Sequence, residues 1–216
     1  IPNGTTNFSR GVDINFDGSV ADDCNADSTT SVTINYTMKR GSFQRSCIGN
    51  TLTGACTIAT DSSFPLGLYN VTMETNKTLH NNGTYLNQSL FFLGTVPKLD
   101  NPKKAPVEEL VPWGSSPFNF SVNITDIDNN TVIVTFWLKN NSVGFFNQSN
   151  VSCTECSNYI FNISMNFTHT QIGGNAWQFK FNATDASSIG NNETAVQTFN
   201  ITRDNISIIN IGGNNS

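Results

Sequence analysis

Twenty asparagines in this chain stand two places ahead of a serine or threonine with no proline between, the acceptor pattern for N-linked glycans. They are Asn3, Asn7, Asn35, Asn70, Asn76, Asn82, Asn87, Asn119, Asn123, Asn129, Asn140, Asn147, Asn150, Asn162, Asn166, Asn182, Asn192, Asn200, Asn205 and Asn214. Chance placement at this Asn, Ser and Thr content gives roughly seven. Strand alternation accounts for Asn200-Ile-Thr, but not for loop sequons such as Asn82-Gly-Thr and Asn147-Gln-Ser. The excess points to an extracellular, cell-surface chain carrying covalent N-glycans.

Five cysteines suit an oxidising compartment. Cys47 and Cys56 flank a short loop, and Cys153 and Cys156 flank Thr-Glu; both are candidate disulfides. Cys24 is left over, able to pair with Cys47 or Cys56, to stay free or to reach another chain. A zinc ribbon needs two CxxC knuckles, and only Cys153/Cys156 has that spacing.

Calcium is the candidate cofactor. Asp13-Ile-Asn-Phe-Asp-Gly18 matches the start of a calcium loop, so Asp13, Asn15 and Asp17 are candidate metal ligands. The closing Glu of such loops is absent, and Ile14 and Phe16 alternate as they would in a strand. A second acidic set joins Asp100 and Asn101 to Asp126, Asp128 and Asp185. No enzyme is expected. His80 and His169 lie in different halves, and no G-x-S-x-G, HExxH or phosphate loop occurs. The adjacent Glu108 and Glu109 read as solvated carboxylates.

Charged residues make up 12% of the 216, and the net charge is -5. Nucleic-acid binders present basic patches, so that partner class is not expected. No apolar run is long enough to span a membrane. The chain opens on Ile1 without an initiator Met, a signal peptide or a lipidation motif, and reads as a mature or excised piece.

The elements that position these residues are strands. In Phe118 to Thr125 the apolar Phe118, Phe120, Val122 and Ile124 alternate with Asn119, Ser121, Asn123 and Thr125. That period of two marks a strand with one buried and one wet face. Each sequon then puts its Asn and its Ser or Thr on the wet face and its middle residue inside. Helical periodicity is absent, and short apolar runs broken by Gly, Asn, Asp and Pro predict an all-β sandwich.

Two copies of one domain emerge when the halves are aligned. Ser31 to Lys39 matches Thr131 to Lys139, and Gly67 to Glu74 matches Asn175 to Asn182. Gly83 to Leu93 matches Glu193 to Thr202, and Gly11 to Asp17 matches Phe118 to Ile124. The expected division is a sandwich over 1–96, a stiff proline-rich linker over 97–106, a second sandwich over 107–204 and an apolar strand over 205–216. Phe118, Phe120, Val134, Phe136, Phe179, Phe181, Phe199 and Ile201 are expected to form the second core. Ile133 and Trp137 fall on outward positions, and Ile206, Ile208, Ile209 and Ile211 follow the last matched strand. All six are candidate interface residues. The tail is read as the first strand of a further repeat, as a strand donated to a neighbour, or as a frayed end.

Asn182-Ala-Thr-Asp-Ala and the strand Thr198-Phe-Asn-Ile-Thr202 resemble the final hairpin of immunoglobulin-like (cadherin, PKD and Big type) repeats. These repeats occur in archaeal and bacterial surface proteins, and the sequon density resembles the archaeal extracellular surface and filament glycoproteins. Ser116 to Val134 is similar to their opening hairpin. The resemblance covers the second copy well and the first loosely. It implies two tandem immunoglobulin-like β-sandwich domains. The function expected is structural: a subunit or repeat segment of a cell-surface filament or surface layer, self-associating with identical subunits. The alternative is a cell-surface adhesin or carbohydrate-binding module using Trp113, Trp137 or Phe145-Phe146.

Overall fold

The computed structural model describes residues 6–21, 32–49, 54–77, 81–108, 110–114, 117–128, 130–140, 143–172, 177–186 and 189–204. Apart from one 3-10 turn at His169–Gln171, every regular element among them is a strand. The chain divides into two compact units, Ile1–Val96 with Ala186–Gly190, and Pro97–Asp185 with Asn191–Ser216.

The first unit holds β1 (Thr6–Ser9), β2 (Ile14–Phe16), β3 (Thr33–Arg40), β4 (Phe43–Ile48), β5 (Cys56–Ile58), β6 (Gly67–Asn76) and β7 (Gly83–Gly94). The second holds β8 (Lys98–Ala105), β9 (Leu110–Pro112), β10 (Phe118–Thr125), β11 (Thr131–Lys139) and β12 (Phe146–Thr154). It continues with β13 (Tyr159–Met165), β14 (Trp177–Asp185), β15 (Asn191–Glu193) and β16 (Gln197–Thr202).

In the second unit β13-β10-β8 form one sheet and β12-β11-β14-β16-β9 the other. Consecutive strands β10 and β11 lie in opposite sheets, as do β13 and β14, so the connections cross the sandwich. A short strand, β9, runs parallel to the last strand β16 and closes the larger sheet. This strand order is that of an immunoglobulin-like sandwich. The first unit repeats it: β1-β7-β6-β3-β4 in one sheet, with β1 parallel to β7, and β2-β5 in the other. The segments that match in sequence are thus the same strands, β3 with β11, β6 with β14 and β2 with β10. The protein is all-β, built of two tandem immunoglobulin-like β-sandwich domains.

Period-two alternation decides which side chains fill each interior. Phe118, Phe120, Val122 and Ile124 of β10 are buried, and so are Val132, Val134, Phe136 and Leu138 of β11. Phe179, Phe181, Phe199 and Ile201 complete the expected set, all within one cluster. Phe120 lies at its centre, 4.9 Å between ring centroids from both Phe136 and Phe179. The first unit buries Ile14, Phe16, Tyr36, Met38, Tyr69 and Phe91, with Tyr69 stacked on Phe91 at 5.2 Å.

The segment expected to be a stiff proline-rich linker over 97–106 is instead mostly a strand of the second sandwich. Lys98–Ala105 pairs antiparallel with β10 along its length. Proline is tolerated there because β8 is an edge strand, and because the ladder shifts register between Ser121 and Asn123. Asn101, at φ 52°, and Pro102 sit in that bulge, where no ladder N–H is required. Residues 205–216, with the interface candidates Ile206, Ile208, Ile209 and Ile211, lie outside the described residues.

Candidate functional site

The outward registers carry the sequons. Of the twenty asparagines, Asn3, Asn129, Asn205 and Asn214 lie outside the described residues. None of the other sixteen is buried. Seven of the sequons bury their middle residue: Tyr36 behind Asn35, Val71 behind Asn70, Phe120 behind Asn119, Ile124 behind Asn123, Phe167 behind Asn166, Ala183 behind Asn182 and Ile201 behind Asn200. In Asn182-Ala-Thr the Thr184 hydroxyl donates to the Asn182 side-chain oxygen at 3.3 Å, as expected of two side chains sharing one strand face. Three sequon asparagines use their side-chain nitrogens as donors: Asn192 to the Pro97 carbonyl at 3.0 Å, Asn147 to Asn150 Oδ1 at 2.9 Å and Asn119 to the Pro117 carbonyl at 3.3 Å.

The inward registers end in oxygen ligands. Along β10 the buried positions are the even ones from Phe118 to Ile124, and the next is Asp126. Along β14 the buried positions are the odd ones from Trp177 to Ala183, and the next is Asp185. The even register of β11, read back from Leu138 to Val132, continues through Asn130 to Asp128. These strands come from both sheets, so three core stripes terminate in polar side chains at one end of the sandwich. Ligand atoms of Asp126, Asp128 and Asp185 all lie within 4.8 Å of one another. The Asn130 amide donates to Asp185 Oδ2 at 2.9 Å.

Asp126 is 4% exposed, and neither of its carboxylate oxygens has a hydrogen-bond partner. Burial first, then a weak hydrogen bond with Asp128 and the charges of the Asp128 and Asp185 carboxylates, push its pKa up to about 7, opposed only by the Asn130 backbone N–H. Its backbone N–H is held by the Cys156 carbonyl at 2.7 Å. Asp100 and Asn101, expected in this set, are not part of it. Asp100 pairs with Asn123, three residues short of Asp126, and its carboxylate meets Lys98 at 2.8 Å.

The calcium loop expected at Asp13, Asn15 and Asp17 is corrected by the structure. Ile14 and Phe16 are buried strand residues, and all three oxygen-bearing side chains lie on the exposed side. Extended backbone spaces alternate residues by about 6.5 Å along the strand and offers no concave loop. Asn15 instead accepts a hydrogen bond from Thr57 on β5 at 2.7 Å.

Both cysteine closures form. Cys47–Cys56 joins β4 of the larger sheet to β5 of the smaller, with Cα atoms 6.1 Å apart. Cys153–Cys156 closes the turn after β12, at 5.8 Å. Cys24 and His80 lie outside the described residues. Of the outward pair on β11, Ile133 is 44% exposed, while Trp137 is only partly so. The following loop returns to this face: the ammonium groups of Lys139 and Lys180 lie 5.6 and 4.7 Å from the Phe145 ring. Trp113 packs against the second core and meets His169 edge-on at 6.0 Å.

No helix among the described residues is long and apolar enough to cross a membrane. No protein-family model and no curated protein matches the chain. Among solved structures it is similar to the FN1–FN3 domains of chicken CNTN1, at 10% identity and a TM-score of 0.37, over 92% of this chain. It spans 62% of that chain. It is similar to a cytokine receptor complex at 9% identity and a TM-score of 0.40, covering 91% of this chain and 94% of that one. CBD12 from CALX1.2 follows at 8% identity and 0.30, with 83% and 79% covered. All three scores lie below 0.5, so the immunoglobulin-like assignment stands on strand order.

Proposed function

We propose that this chain is a structural, N-glycosylated extracellular protein, a subunit or repeat segment of a cell-surface filament or surface layer that associates with copies of itself. The observation that carries the proposal is a sheet that is one strand short among the described residues. In the second unit β8 flanks β10 and completes a three-stranded sheet. In the first unit the equivalent strand β2 has β5 on one edge and no second partner among the described residues. Beside it a small apolar cavity, about 50 Å³, is lined by Phe16, Tyr36, Val71, Met73, Tyr85 and Leu90. Tyr85, on the strand that borders this gap, is 67% exposed.

An edge with unpaired backbone groups beside an apolar slot accepts an added strand. The segment Ile206-Ser-Ile-Ile-Asn-Ile211 has the apolar content and length to supply one from a second copy. Glycans on the outward asparagines would shield the other faces from sheet-to-sheet aggregation and supply the solubility that a 12% charged composition does not. The two disulfides suit an oxidising, extracellular compartment. The archaeal affinity rests on sequon density alone. The adhesin reading has less support, because Trp113 is packed against the core and Trp137 is half-covered.

Electron microscopy of the native material tests the assembly, with ordered polymers expected. Deletion of residues 205–216 is expected to leave folded, dispersed subunits that bind a 205–216 peptide added in trans. Unchanged polymers after the deletion would remove strand donation. Dispersed wild-type monomers would remove self-assembly.

A further inference from the structure

We propose that the end of the second sandwich is a calcium site, with Asp126, Asp128 and Asp185 as carboxylate ligands and the Asn130 side chain as a fourth oxygen-bearing group. An ionised carboxylate in an apolar interior is strongly unfavourable unless it is paired or coordinates a metal. Asp126 is buried at the foot of the Phe118–Ile124 stripe with both oxygens unpartnered. The charges that act on it are those of two further carboxylates, Asp128 and Asp185. Apart from the Asn130 backbone N–H, the protein groups that act on its charge add repulsion, which a cation would relieve.

The donor set selects the kind of cation. Among the described residues, the cluster offers oxygen atoms only, with no histidine or cysteine sulfur in the group. Hard oxygen ligands suit calcium or magnesium rather than zinc or copper. Asp126, Asp128 and Asn130 fall at alternate positions, the spacing with which calcium loops present successive oxygens. Here the chain turns between β10 and β11, so the alternate side chains converge, unlike those of Asp13, Asn15 and Asp17 on an extended strand. Asp185 reaches the same point from β14, so ligands come from strands of both sheets. Calcium accepts an irregular set of six to eight oxygens, including backbone carbonyls and water, whereas magnesium demands a near-ideal octahedron. Three carboxylates contributed by two separate strand ends fit the more permissive ion.

A bound ion would tie the β10–β11 turn to the end of β14. It would also neutralise the charge cluster at the end of the core. This site is independent of strand donation and of glycosylation.

The test is titration of calcium chloride into chelator-treated native protein, read by calorimetry and by thermal unfolding, with magnesium chloride in parallel. The expected result is one calcium bound per chain. Unfolding of the second unit should rise by about 10 °C at a hundredfold excess over Kd. Asp126→Asn and Asp185→Asn are expected to weaken binding at least tenfold, and Asp13→Asn to leave it unchanged. Asp126→Asn also removes a buried charge, so it should unfold at a higher temperature than the wild type when both are free of cation. Asp128→Asn, at a more accessible position, serves if a buried variant fails to fold. No calcium binding by folded wild-type protein at millimolar concentration would overturn the proposal. So would binding that survives all three substitutions, or binding of magnesium as tight as that of calcium.

Discussion

Replacing Phe120 with alanine separates the inward register from the outward one. Phe120 is fully buried, with ring centroids of Phe136 and Phe179 at 4.9 Å and Phe199 at 5.5 Å. Phe→Ala changes in packed cores cost about 3 to 5 kcal/mol, part in lost burial and part in the cavity left behind. Each edge-to-face or tilted ring pair adds roughly 0.5 to 1.5 kcal/mol, so a site with three such neighbours belongs near the upper end. For a domain of this size about 4 kcal/mol lowers Tm by roughly 15 to 30 °C. Asn162 on β13, an exposed sequon residue of the same sheet, provides the contrast. In protein made without glycans, Asn162→Ala should change stability by less than about 0.5 kcal/mol. Differential scanning calorimetry measures both, with the transition of the first unit as an internal reference. A cost for Phe120→Ala below about 1 kcal/mol, or equal losses for the two variants, would refute the assignment of inner and outer faces.

Three further outcomes are expected. Non-reducing peptide mapping should recover Cys47 joined to Cys56 and Cys153 joined to Cys156, and reduction should cost about 2 to 3 kcal/mol per bridge, as short loops predict. Tyr69 is buried with its hydroxyl donating to the Pro65 carbonyl at 2.7 Å, and burial pushes its pKa up to about 12. The unfolded chain ionises near 10, so the contribution of this tyrosine to stability is complete below pH 10 and is lost as pH rises toward 12. Tyr69→Phe should flatten that part of an alkaline unfolding profile. Gly54→Ala should destabilise the first unit by more than about 1 kcal/mol, because φ is +68° there and a Cβ would run into the Gly18 carbonyl. Circular dichroism melts would show it.

What the sequence makes legible follows from period two. The alternation in Phe118–Thr125 and its relatives names the core residues, the outward asparagines and the repeat, because each depends only on which side of a strand a residue faces. Prolines mislead at 97–106, where composition suggests a stiff connector between domains. Edge position and a bulge at Asn101 and Pro102 remove the hydrogen bonds that proline cannot make, and pairing with β10 decides the matter. At Asp13 to Asp17 the calcium pattern and the strand pattern compete for one segment, and the buried Ile14 and Phe16 win. Asp126 and Asp185 carry a signal of their own, since each occupies the next inward position after a run of buried apolar residues. Their meeting needs the third dimension, because 59 residues separate them and Asp100 is excluded only by strand register. Trp113 looks like a contact residue in sequence, yet it packs against the second core.

Site-resolved glycopeptide mapping of protein from its native source tests the outward asparagines most directly. Saccharide is predicted on strand and turn positions such as Asn82, Asn162 and Asn166, all exposed. Asn192 should be less occupied than these, because it is partly covered and its side-chain nitrogen is bonded to the Pro97 carbonyl. A native polypeptide with an intact mass of 23.6 kDa and no sugar at any of these positions would contradict the reading of the outer faces.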